Sequence, residues 1–371
     1  MNSFLLSSKH DLSNFLKEKK FEKVFIICGK KSYVKSGAKR ILSRYLRDKI
    51  TKHYYKCSLY PEISELKRIV ICLRKFSPDL VIAVGGGSVL DYAKMANVVE
   101  ITKNLDNKIV NYSYPIKKKL TQLIAIPTTA GSGAEVTTNA VIYIDKIKYS
   151  LESEIIKPDY FFLIPELVIK ATKKIKSSAG FDAIAQAVES LISKKSTPQS
   201  INFAKKSLVI SLKYYLDYLK KPNFENTSAM CLAANLSGKA ISISKTIAPH
   251  AISYPFTSLY NISHGHAVSL TLEKFLKFNF INYKKANCNF DLNLRYKSIF
   301  NIFGVRGIIE LENFFIEIKK KAKLEDNFKK LKINLDSNVD RLIDGINLLR
   351  LQNNPINLNK NDIKTILLKS N

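Results

Sequence analysis

The chain has 371 residues, of which 46% are hydrophobic, and it carries a formal net charge of +29. This length suits two domains, the apolar content excludes a disordered chain, and we find neither an apolar run that could cross a membrane nor the pattern of a secretory signal. Because the lysines are spread along the chain among many isoleucines and asparagines, the charge indicates a codon bias and a field that attracts anionic ligands, and we expect no nucleic-acid partner.

The first part of the chain alternates apolar runs with helical patterns, the latter at 36–50 and 61–76. Four apolar runs predict strands: 23–29, 79–87, 120–129 and 139–144. The second and third are almost continuously apolar, as buried parallel strands are. Strands and helices in alternation predict an α/β domain with a doubly wound, mostly parallel sheet.

After Pro165 the pattern becomes helical almost throughout. Apolar residues recur at helical spacing in 181–193, 200–221 and 227–244, and again beyond 305. We therefore predict an α/β domain at 1–165 and an all-helical domain at 166–371.

Two small-residue loops follow buried strands of the first domain. In VGGGS, Ser88 opens a helix after three glycines, and free amides at a helix N-terminus attract phosphate. In PTTAGSG, Thr128, Thr129 and Ser132 supply hydroxyl groups beside flexible backbone. Both loops are expected to face one crevice, where open α/β sheets bind ligands. The alternative is that both are ordinary turns.

Candidate metal ligands cluster in the second domain. Asp182 and Gln186 lie four residues apart on one helix face, with Glu189 a turn further on. Three of the five histidines in the chain fall within seventeen residues, and these include His250 and His264. Two histidines and a carboxylate can hold a catalytic divalent ion with open positions. The alternatives are an aspartate favoured by the helix dipole and histidines packed in the core.

These stretches, in this order, resemble the iron-containing (group III) alcohol dehydrogenases, whose relatives include glycerol dehydrogenase and dehydroquinate synthase. GGGSVLDYAK, PTTAGSGAEVT and AGFDAIAQAVES are similar to the family's GGGSxxDxAK, PTTAGTGSEVT and GxDAxxHxxE elements. PHAISYPFTSLYNISHGHAV resembles its second metal segment, and LQNNPINLNKNDIKTIL its closing NPRxxT element. The resemblance covers nearly the whole chain and implies an NAD(P)-dependent alcohol dehydrogenase or aldehyde reductase with a divalent metal, Fe²⁺ or Zn²⁺.

The resemblance also implies roles for individual residues. Asp182, Gln186, His250 and His264 would be metal ligands. Tyr254 and His266 are candidates for moving a proton. The residues assigned to NAD or NADP are Gly29, Lys30, Gly86, Gly87, Ser88, Asp91, Thr128, Thr129, Ser132 and Lys148.

Three departures from the family pattern change these expectations. Gln186 replaces a histidine ligand, and an amide oxygen is a weaker ligand than imidazole. Tyr254 replaces a second histidine, and a phenol with an ordinary pKa of about 10 is a poorer proton shuttle at neutral pH. The first strand ends in Gly29, followed by Lys30, where the family commonly has an aspartate, which favours the 2′-phosphate of NADP over NAD.

Within the family, the stretches DAIAQAVES, KTIAPHAISYP and HGHA look most like phosphonoacetaldehyde reductases, which form 2-hydroxyethylphosphonate in phosphonate biosynthesis. Lys245 is then a candidate for binding the phosphonate, with an ordinary solvated lysine as the alternative. Competing hypotheses are an alcohol dehydrogenase for another small substrate, a lyase like dehydroquinate synthase, and a non-catalytic binding protein.

The scattered cysteines complete the sequence-based expectations. They are odd in number and show no pairing pattern, which predicts no disulfide framework and fits a cytoplasmic protein. We expect a homodimer or higher homo-oligomer that acts on a small anionic aldehyde, without a nucleic-acid or membrane partner. The five residues are Cys28, Cys57, Cys72, Cys231 and Cys288.

Overall fold

The computed structural model describes residues 7–369, which form two compact units. The first unit comprises the chain up to Thr172 together with Pro222–Asn235, and the second comprises Lys173–Lys221 and the chain from Leu236 onward. The segment 222–235, which lies in the predicted second domain, groups with the first unit. Within residues 7–369, no helix has both the length and the apolar character that crossing a bilayer requires.

Strands and helices alternate in the first unit. Its strands are β1 (Lys23–Gly29), β2 (Ile50–Lys56), β3 (Leu80–Gly85), β4 (Gln122–Pro127), β5 (Asn139–Ile144), β6 (Ile147–Glu152) and β7 (Tyr160–Phe161). Its helices are α1 (Lys9–Glu18), α2 (Lys30–Lys35), α3 (Ala38–Tyr45), α4 (Ile63–Phe76), α5 (Gly87–Ala96), α6 (Leu105–Val110) and α7 (Pro165–Val168).

Five of the strands form one parallel sheet in the order β2-β1-β3-β4-β7. Alternate residues of β1 enter two different cores, Phe25 and Ile27 on one face and Val24 and Ile26 on the other. A sheet buried on both faces explains the continuous apolar runs of its strands. The predicted doubly wound α/β fold is confirmed.

The predicted elements differ from the structure mainly at the sheet edge. The helix predicted over 36–50 ends at Tyr45, and the chain then enters β2. β2 was not predicted because it is a half-exposed edge strand that lacks an apolar run; its sequence is ITKHYYK. β5 is where the pattern predicts it, but it pairs antiparallel with β6 in a separate two-stranded sheet.

The described residues of the second unit form helices and no strand. Helix α10 begins in the first unit and ends in the second. The helices are α8 (Lys173–Ile192), α9 (Pro198–Lys220), α10 (Phe224–Ser244), α11 (Ala248–Tyr260), α12 (His264–Ser269), α13 (Leu272–Ile281), α14 (Leu292–Phe303), α15 (Ile308–Ala322), α16 (Leu335–Asp344) and α17 (Lys360–Leu368).

Helix α8, which carries Asp182 and Gln186, is buried along most of its length. Almost every residue from Lys176 to Ile192 is buried, so the helix lacks a polar face. Its small residues, such as Gly180 and Ala183, allow neighbouring helices to approach closely. The Tyr215 hydroxyl of α9 donates to the carbonyl oxygen of Ser177 at 2.6 Å and ties α9 to α8.

Candidate active site

The first candidate site lies at the carboxyl edge of the sheet in the first unit. From β1 the chain passes to β2 on one side and then to β3 on the other, so the strand order switches between β1 and β3. Open α/β sheets bind ligands outside the carboxyl ends of strands at such a switch point. β1 ends at Gly29, β3 at Gly85 and β4 at Pro127, so the two predicted loops leave the same edge.

The glycine loop and the hydroxyl-bearing loop are in contact. A Cβ on Gly87 would lie 2.7 Å from Ser132 Oγ, and one on Gly86 would lie 3.2 Å from Thr129 Oγ1. Gly133 has a φ of +59°, in the left-handed region that favours glycine. These glycines therefore let two turns share one small space, as a pyrophosphate cradle requires.

Two further residues of the predicted set line the start of α5 and the adjacent loop. Ser88 is partly exposed in the first turn of α5. Thr128 is buried, and its backbone amide donates to the carbonyl oxygen of Gly85 at 2.9 Å. The structure therefore places both beside the glycine loop.

Asp91 and Lys148 lie close together, although β6 is far from α5 in sequence. Burial raises the pKa of Asp91 to about 6, while the charges of Lys94 and Lys148 oppose that rise. Lys94 is fully buried, and its Nζ donates to the Ala134 carbonyl oxygen at 3.0 Å and to Thr137 Oγ1 at 2.8 Å. Lys94 is absent from the predicted site residues, yet it fixes the shape of the loop that follows β4.

Gly29 and Lys30 lie at the same carboxyl edge. Gly29 precedes α2, and a Cβ there would lie 2.6 Å from Ser32 Oγ. Lys30 is exposed at the first position of α2. The register that pairs Cys28 with Val84 puts this turn next to the glycine loop.

The second candidate site lies in the second unit, where three helices bring Asp182, His250 and His264 together. One ligand atom from each residue lies within 4.8 Å of the other two. His250 Nε2 is 3.2 Å and His264 Nε2 is 3.8 Å from Asp182 Oδ1. Asp182 and His250 are buried, whereas the His264 side chain is 32% exposed, so this cluster is open on one side.

Glu189 holds the other side of the His250 imidazole. His250 Nδ1 makes a short hydrogen bond with Glu189 Oε1, and Glu189 Oε2 accepts the backbone amide of Ile247 at 2.8 Å. Burial alone lowers the pKa of His250, but the carboxylates of Glu189 and Asp182 outweigh it and raise that pKa to about 9. A carboxylate behind an imidazole is the usual arrangement at metal-ligating histidines, since it fixes the ring and leaves Nε2 available.

Gln186 lies beside Asp182, one turn further along α8. Its Nε2 is 3.2 Å from Asp182 Oδ2, and its Oε1 accepts from Ser237 Oγ at 3.0 Å. All three residues are buried. The structure therefore brings Gln186 to the cluster through the carboxylate of Asp182.

Tyr254 packs against the exposed histidine of the cluster. Its ring is stacked on that of His264 with centroids 5.7 Å apart. Burial raises the pKa of Tyr254 to about 12, although the charge of Arg350 opposes the rise. Its hydroxyl therefore stays protonated at neutral pH.

His266 points elsewhere. It lies two positions after His264 on α12, and residues at that spacing do not share a helix face. Its Nε2 hydrogen-bonds with the carbonyl oxygen of Glu325 at 2.6 Å, so the ring donates from Nε2 and is held on that side of α12. The structure does not bring the His266 ring to Asp182.

Lys245 ends α10 in a left-handed backbone conformation, with a φ of +60°. Its amide donates to the carbonyl oxygen of Ile241 at 2.9 Å, and its own carbonyl oxygen accepts from Ser244 Oγ at 3.0 Å. It precedes by two residues Ile247, whose amide binds Glu189. The backbone at Lys245 is thus fixed two residues before the amide that binds Glu189.

Gly265 explains why a glycine separates the two histidines of α12. A Cβ there would lie 2.0 Å from the Ser178 carbonyl oxygen and 2.8 Å from the Asp182 Cβ. Only glycine therefore lets α12 approach α8 closely enough for His264 to reach Asp182. Gly265 is not among the predicted site residues, although its position between two histidines could have indicated a close helix contact there.

Two family descriptions match the chain. Residues 6–165 match the iron-containing alcohol dehydrogenases, and residues 176–371 match the C-terminal part of the Fe-containing alcohol dehydrogenase family. The chain belongs to the iron-containing alcohol dehydrogenase family. The family predicted from the motifs is confirmed.

Curated relatives differ in the substrates that their names give. The phosphonoacetaldehyde reductase of Streptomyces viridochromogenes is 32% identical over 56% of this chain and 55% of that protein, so the match spans little more than half of its length. A long-chain-alcohol dehydrogenase of Geobacillus thermodenitrificans is 28% identical over 70% of this chain and 67% of that protein. A 1-propanol dehydrogenase of Citrobacter freundii is 32% identical over 59% of this chain and 56% of that protein.

Solved structures share the fold. The sulfoacetaldehyde reductase of Bifidobacterium kashiwanohense, solved in complex with NAD⁺, has a TM-score of 0.85 at 24% identity and covers 97% of this chain and 94% of its own. An archaeal halo-thermophilic alcohol dehydrogenase from a Red Sea brine pool has a TM-score of 0.88 at 21% identity, over 100% of this chain and 98% of its own.

The residues present fit the metal that the family name implies. A carboxylate oxygen and two imidazole nitrogens are a donor set suited to a divalent transition ion, and here they lie within 4.8 Å of one another in the second unit, with Asp182 and His250 buried. The touching glycine loops of the first unit fit a phosphate-bearing cofactor on separate grounds, since a side chain at Gly87 would fill the space between them.

Proposed function

We propose that this protein is a metal-dependent, NAD(P)H-linked reductase of small aldehydes, and that its substrate is phosphonoacetaldehyde, reduced to 2-hydroxyethylphosphonate. The observation that carries this proposal is the convergence of Asp182, His250 and His264 within 4.8 Å. Two imidazoles and one carboxylate leave positions at a divalent ion for a substrate oxygen.

The residues around the cluster would hold and orient the metal ligands. When bound, a divalent ion supplies Lewis acidity that stabilises the negative charge developing on the carbonyl oxygen. Glu189 fixes the ring of His250 through Nδ1, so that Nε2 faces Asp182. Tyr254 holds the His264 ring by stacking, and its hydroxyl keeps its proton at neutral pH because burial raises its pKa to about 12.

The loops of the first unit would bind the nicotinamide cofactor. The amides at the start of α5 and the space kept open by Gly86 and Gly87 suit the pyrophosphate. The hydroxyl groups of Thr129 and Ser132 face the same glycines. Because β1 ends in Gly29 and not in a carboxylate, and the exposed Lys30 follows it, we propose a preference for NADPH over NADH.

The choice of a phosphonate substrate has three lines of support. It rests on the likeness to a phosphonoacetaldehyde reductase, on Lys245 two residues before the Ile247 amide that binds Glu189, and on the net charge of +29. A dianionic substrate needs cations in or near its pocket. A second candidate substrate class is small uncharged aldehydes. It is favoured by the 1-propanol dehydrogenase, whose identity to this chain, 32%, equals that of the phosphonoacetaldehyde reductase.

The decisive experiment is an assay of NADPH and NADH oxidation with phosphonoacetaldehyde, lactaldehyde and butanal, with and without added Fe²⁺ or Zn²⁺. We expect metal-dependent oxidation of NADPH that is fastest with phosphonoacetaldehyde. Faster oxidation with butanal would move the substrate to the uncharged class and leave the reductase proposal intact.

A matched control separates catalysis from a binding or lyase function. His264→Ala should abolish aldehyde-dependent oxidation without unfolding the chain, because the side chain is one-third exposed, at 32%. If no aldehyde supports oxidation in the metal-loaded wild type, the reductase proposal is wrong. Turnover without net oxidation of cofactor would instead indicate a lyase of the dehydroquinate synthase type.

We also propose a homodimer or higher homo-oligomer in the cytoplasm. Strand β2 forms one edge of the parallel sheet, with β1 as its only partner among residues 7–369, and such edges commonly pair or are covered. The five cysteines are unpaired, as in a reducing compartment. Light scattering on the purified protein measures the oligomeric state.

A further inference from the structure

The two carboxylate oxygens of Asp182 have different neighbours. Oδ1 faces His250 Nε2 at 3.2 Å and His264 Nε2 at 3.8 Å. Oδ2 faces Gln186 Nε2 at 3.2 Å. A cation held between the two imidazoles would therefore bind Oδ1, the oxygen that Gln186 does not contact.

The hydrogen bonds at the two ends of the Gln186 side chain define its orientation. An ionised carboxylate only accepts hydrogen bonds, so the group that faces Asp182 Oδ2 is the amide NH₂. The amide oxygen then faces the hydroxyl of Ser237, which donates to it at 3.0 Å. Gln186 is 3% exposed and Ser237 is fully buried, so water cannot readily replace either bond.

We propose that Gln186 is a positioning residue for Asp182 and not a metal ligand, so that the ion has three protein ligands. This inference rests on the proposed metal centre, and it differs from the ligand role that the family resemblance assigns to this position. The chain Ser237–Gln186–Asp182 fixes one carboxylate oxygen and turns the other toward the imidazoles. Hydrogen bonds to a ligating carboxylate commonly tune metal affinity in this way.

Cobalt binding to the purified metal-free protein tests the inference without any catalytic assay. The visible absorption of Co²⁺ reports its ligand set, and titration reports its dissociation constant. Gln186→Leu has a similar volume but cannot hydrogen-bond to Asp182. We expect it to bind Co²⁺ on the order of 10- to 100-fold more weakly than the wild type, with the same band positions and intensities.

Two further variants make the result specific. Ser237→Ala removes the donor behind Gln186 and should weaken Co²⁺ binding in the same direction, but less, again without a change in the spectrum. Gln186→His restores the family's imidazole and should add a nitrogen ligand, which changes the spectrum and tightens binding. Ser237→Ala also serves if Gln186→Leu does not fold.

The possible failures are distinguishable. If the Co²⁺ spectrum of Gln186→Leu changes in the way expected when a ligand is lost, Gln186 is a metal ligand and the positioning role is wrong. If Gln186→Leu and Ser237→Ala both bind Co²⁺ with the affinity of the wild type, Gln186 neither positions Asp182 nor binds the ion. If the wild type binds no Co²⁺, or if His264→Ala binds it equally well, the metal centre of the proposed function fails as well.

Discussion

Two buried carboxylates of this protein are stabilised in different ways at the residue scale. Glu189 is fully buried and has specific donors on both oxygens, namely the His250 ring and the Ile247 amide. Asp91 is 8% exposed and has two lysines nearby, with Lys94 Nζ at 4.0 Å. Burial raises the pKa of Asp91, because the charges of its partners do not fully offset the loss of hydration.

We predict that Asp91 makes stability depend on pH in a direction opposite to most carboxylates. Its pKa is about 6 in the folded protein against an ordinary 3.8, so the folded state holds a proton that the unfolded state releases between these values. The contribution of Asp91 to the free energy of unfolding is therefore fully present below about pH 4 and is lost as the pH rises to about 6. The loss is on the order of 2 to 3 kcal/mol. Thermal melts should show Asp91→Asn gaining stability relative to the wild type over this range.

Asp79→Asn is the matched control for that measurement. Hydrogen bonds from the backbone amides of Lys23 and Glu22 lower the pKa of Asp79. The Asp79 carboxylate is therefore largely ionised above pH 4 in both the folded and the unfolded protein. The difference in melting temperature between Asp79→Asn and the wild type should be flat from about pH 4 to about pH 6. A flat profile for Asp91→Asn as well would show that Asp91 is ionised throughout.

At the scale of elements, the candidate metal site depends on how closely α12 approaches α8. Gly265 faces the Ser178 carbonyl oxygen and the Asp182 Cβ with no room for a methyl group. The hydroxyl of Ser178 also contacts α12, accepting the His266 amide at 3.1 Å. The approach of Gly265 to the Ser178 carbonyl is between backbone atoms, so it cannot relax by rotating a side chain.

We predict that Gly265→Ala weakens both metal binding and the fold. The new Cβ forces α12 away from α8 and separates His264 from Asp182, so Co²⁺ affinity should fall by on the order of 10- to 100-fold. Overpacking of this kind typically costs about 1–3 kcal/mol of stability. Titration with Co²⁺ and thermal melts measure the two effects.

Gly307→Ala is the control, since no heavy atom lies within 4 Å of the position of its Cβ. It should leave both Co²⁺ affinity and melting temperature unchanged. Co²⁺ affinity of Gly265→Ala equal to that of the wild type would show that His264 is not held by this contact.

The elements that could be predicted from the sequence are those with a local signal. β1, β3 and β4 are buried on both faces and so carry continuous apolar runs, and the spacing of His250 and His264 marked the cluster. β2, β6 and β7 carry no such runs, because they are short or half-exposed.

The contacts that could not be predicted join residues far apart in the chain. Ser237 and Gln186 are separated by 51 positions, and His250 and Glu189 by 61. Likewise, Lys94 meets Thr137 across 43 positions. Spacing on one helix puts Gln186 near Asp182, but only the three-dimensional structure shows which oxygen it contacts.

At the scale of the whole molecule, the dominant property is the positive charge of +29. Lysines and arginines number 60 against 31 acidic residues, so the field around the chain attracts anions. Such a field acts over a distance set by ionic strength, about 30 Å at 0.01 M and about 10 Å at 0.1 M.

We predict that salt distinguishes the two candidate substrate classes. With saturating NADPH, kcat/KM for phosphonoacetaldehyde should fall severalfold between about 0.01 M and about 0.1 M salt, because screening removes the attraction of the dianion. Butanal has no charge, and its kcat/KM should change little over the same range. Parallel profiles for the two aldehydes would show that charge plays no part in substrate capture.

Lys94 has a consequence for engineering this fold. Its ammonium group, carried by α5, holds the Ala134 carbonyl and the Thr137 hydroxyl and so sets the path of the chain between β4 and β5. A loop transplanted here from a relative would keep its shape only if the acceptors for that ammonium came with it. The turn after β4 and the helix after β3 therefore form one indivisible module, and cofactor preference should be redesigned by exchanging both together.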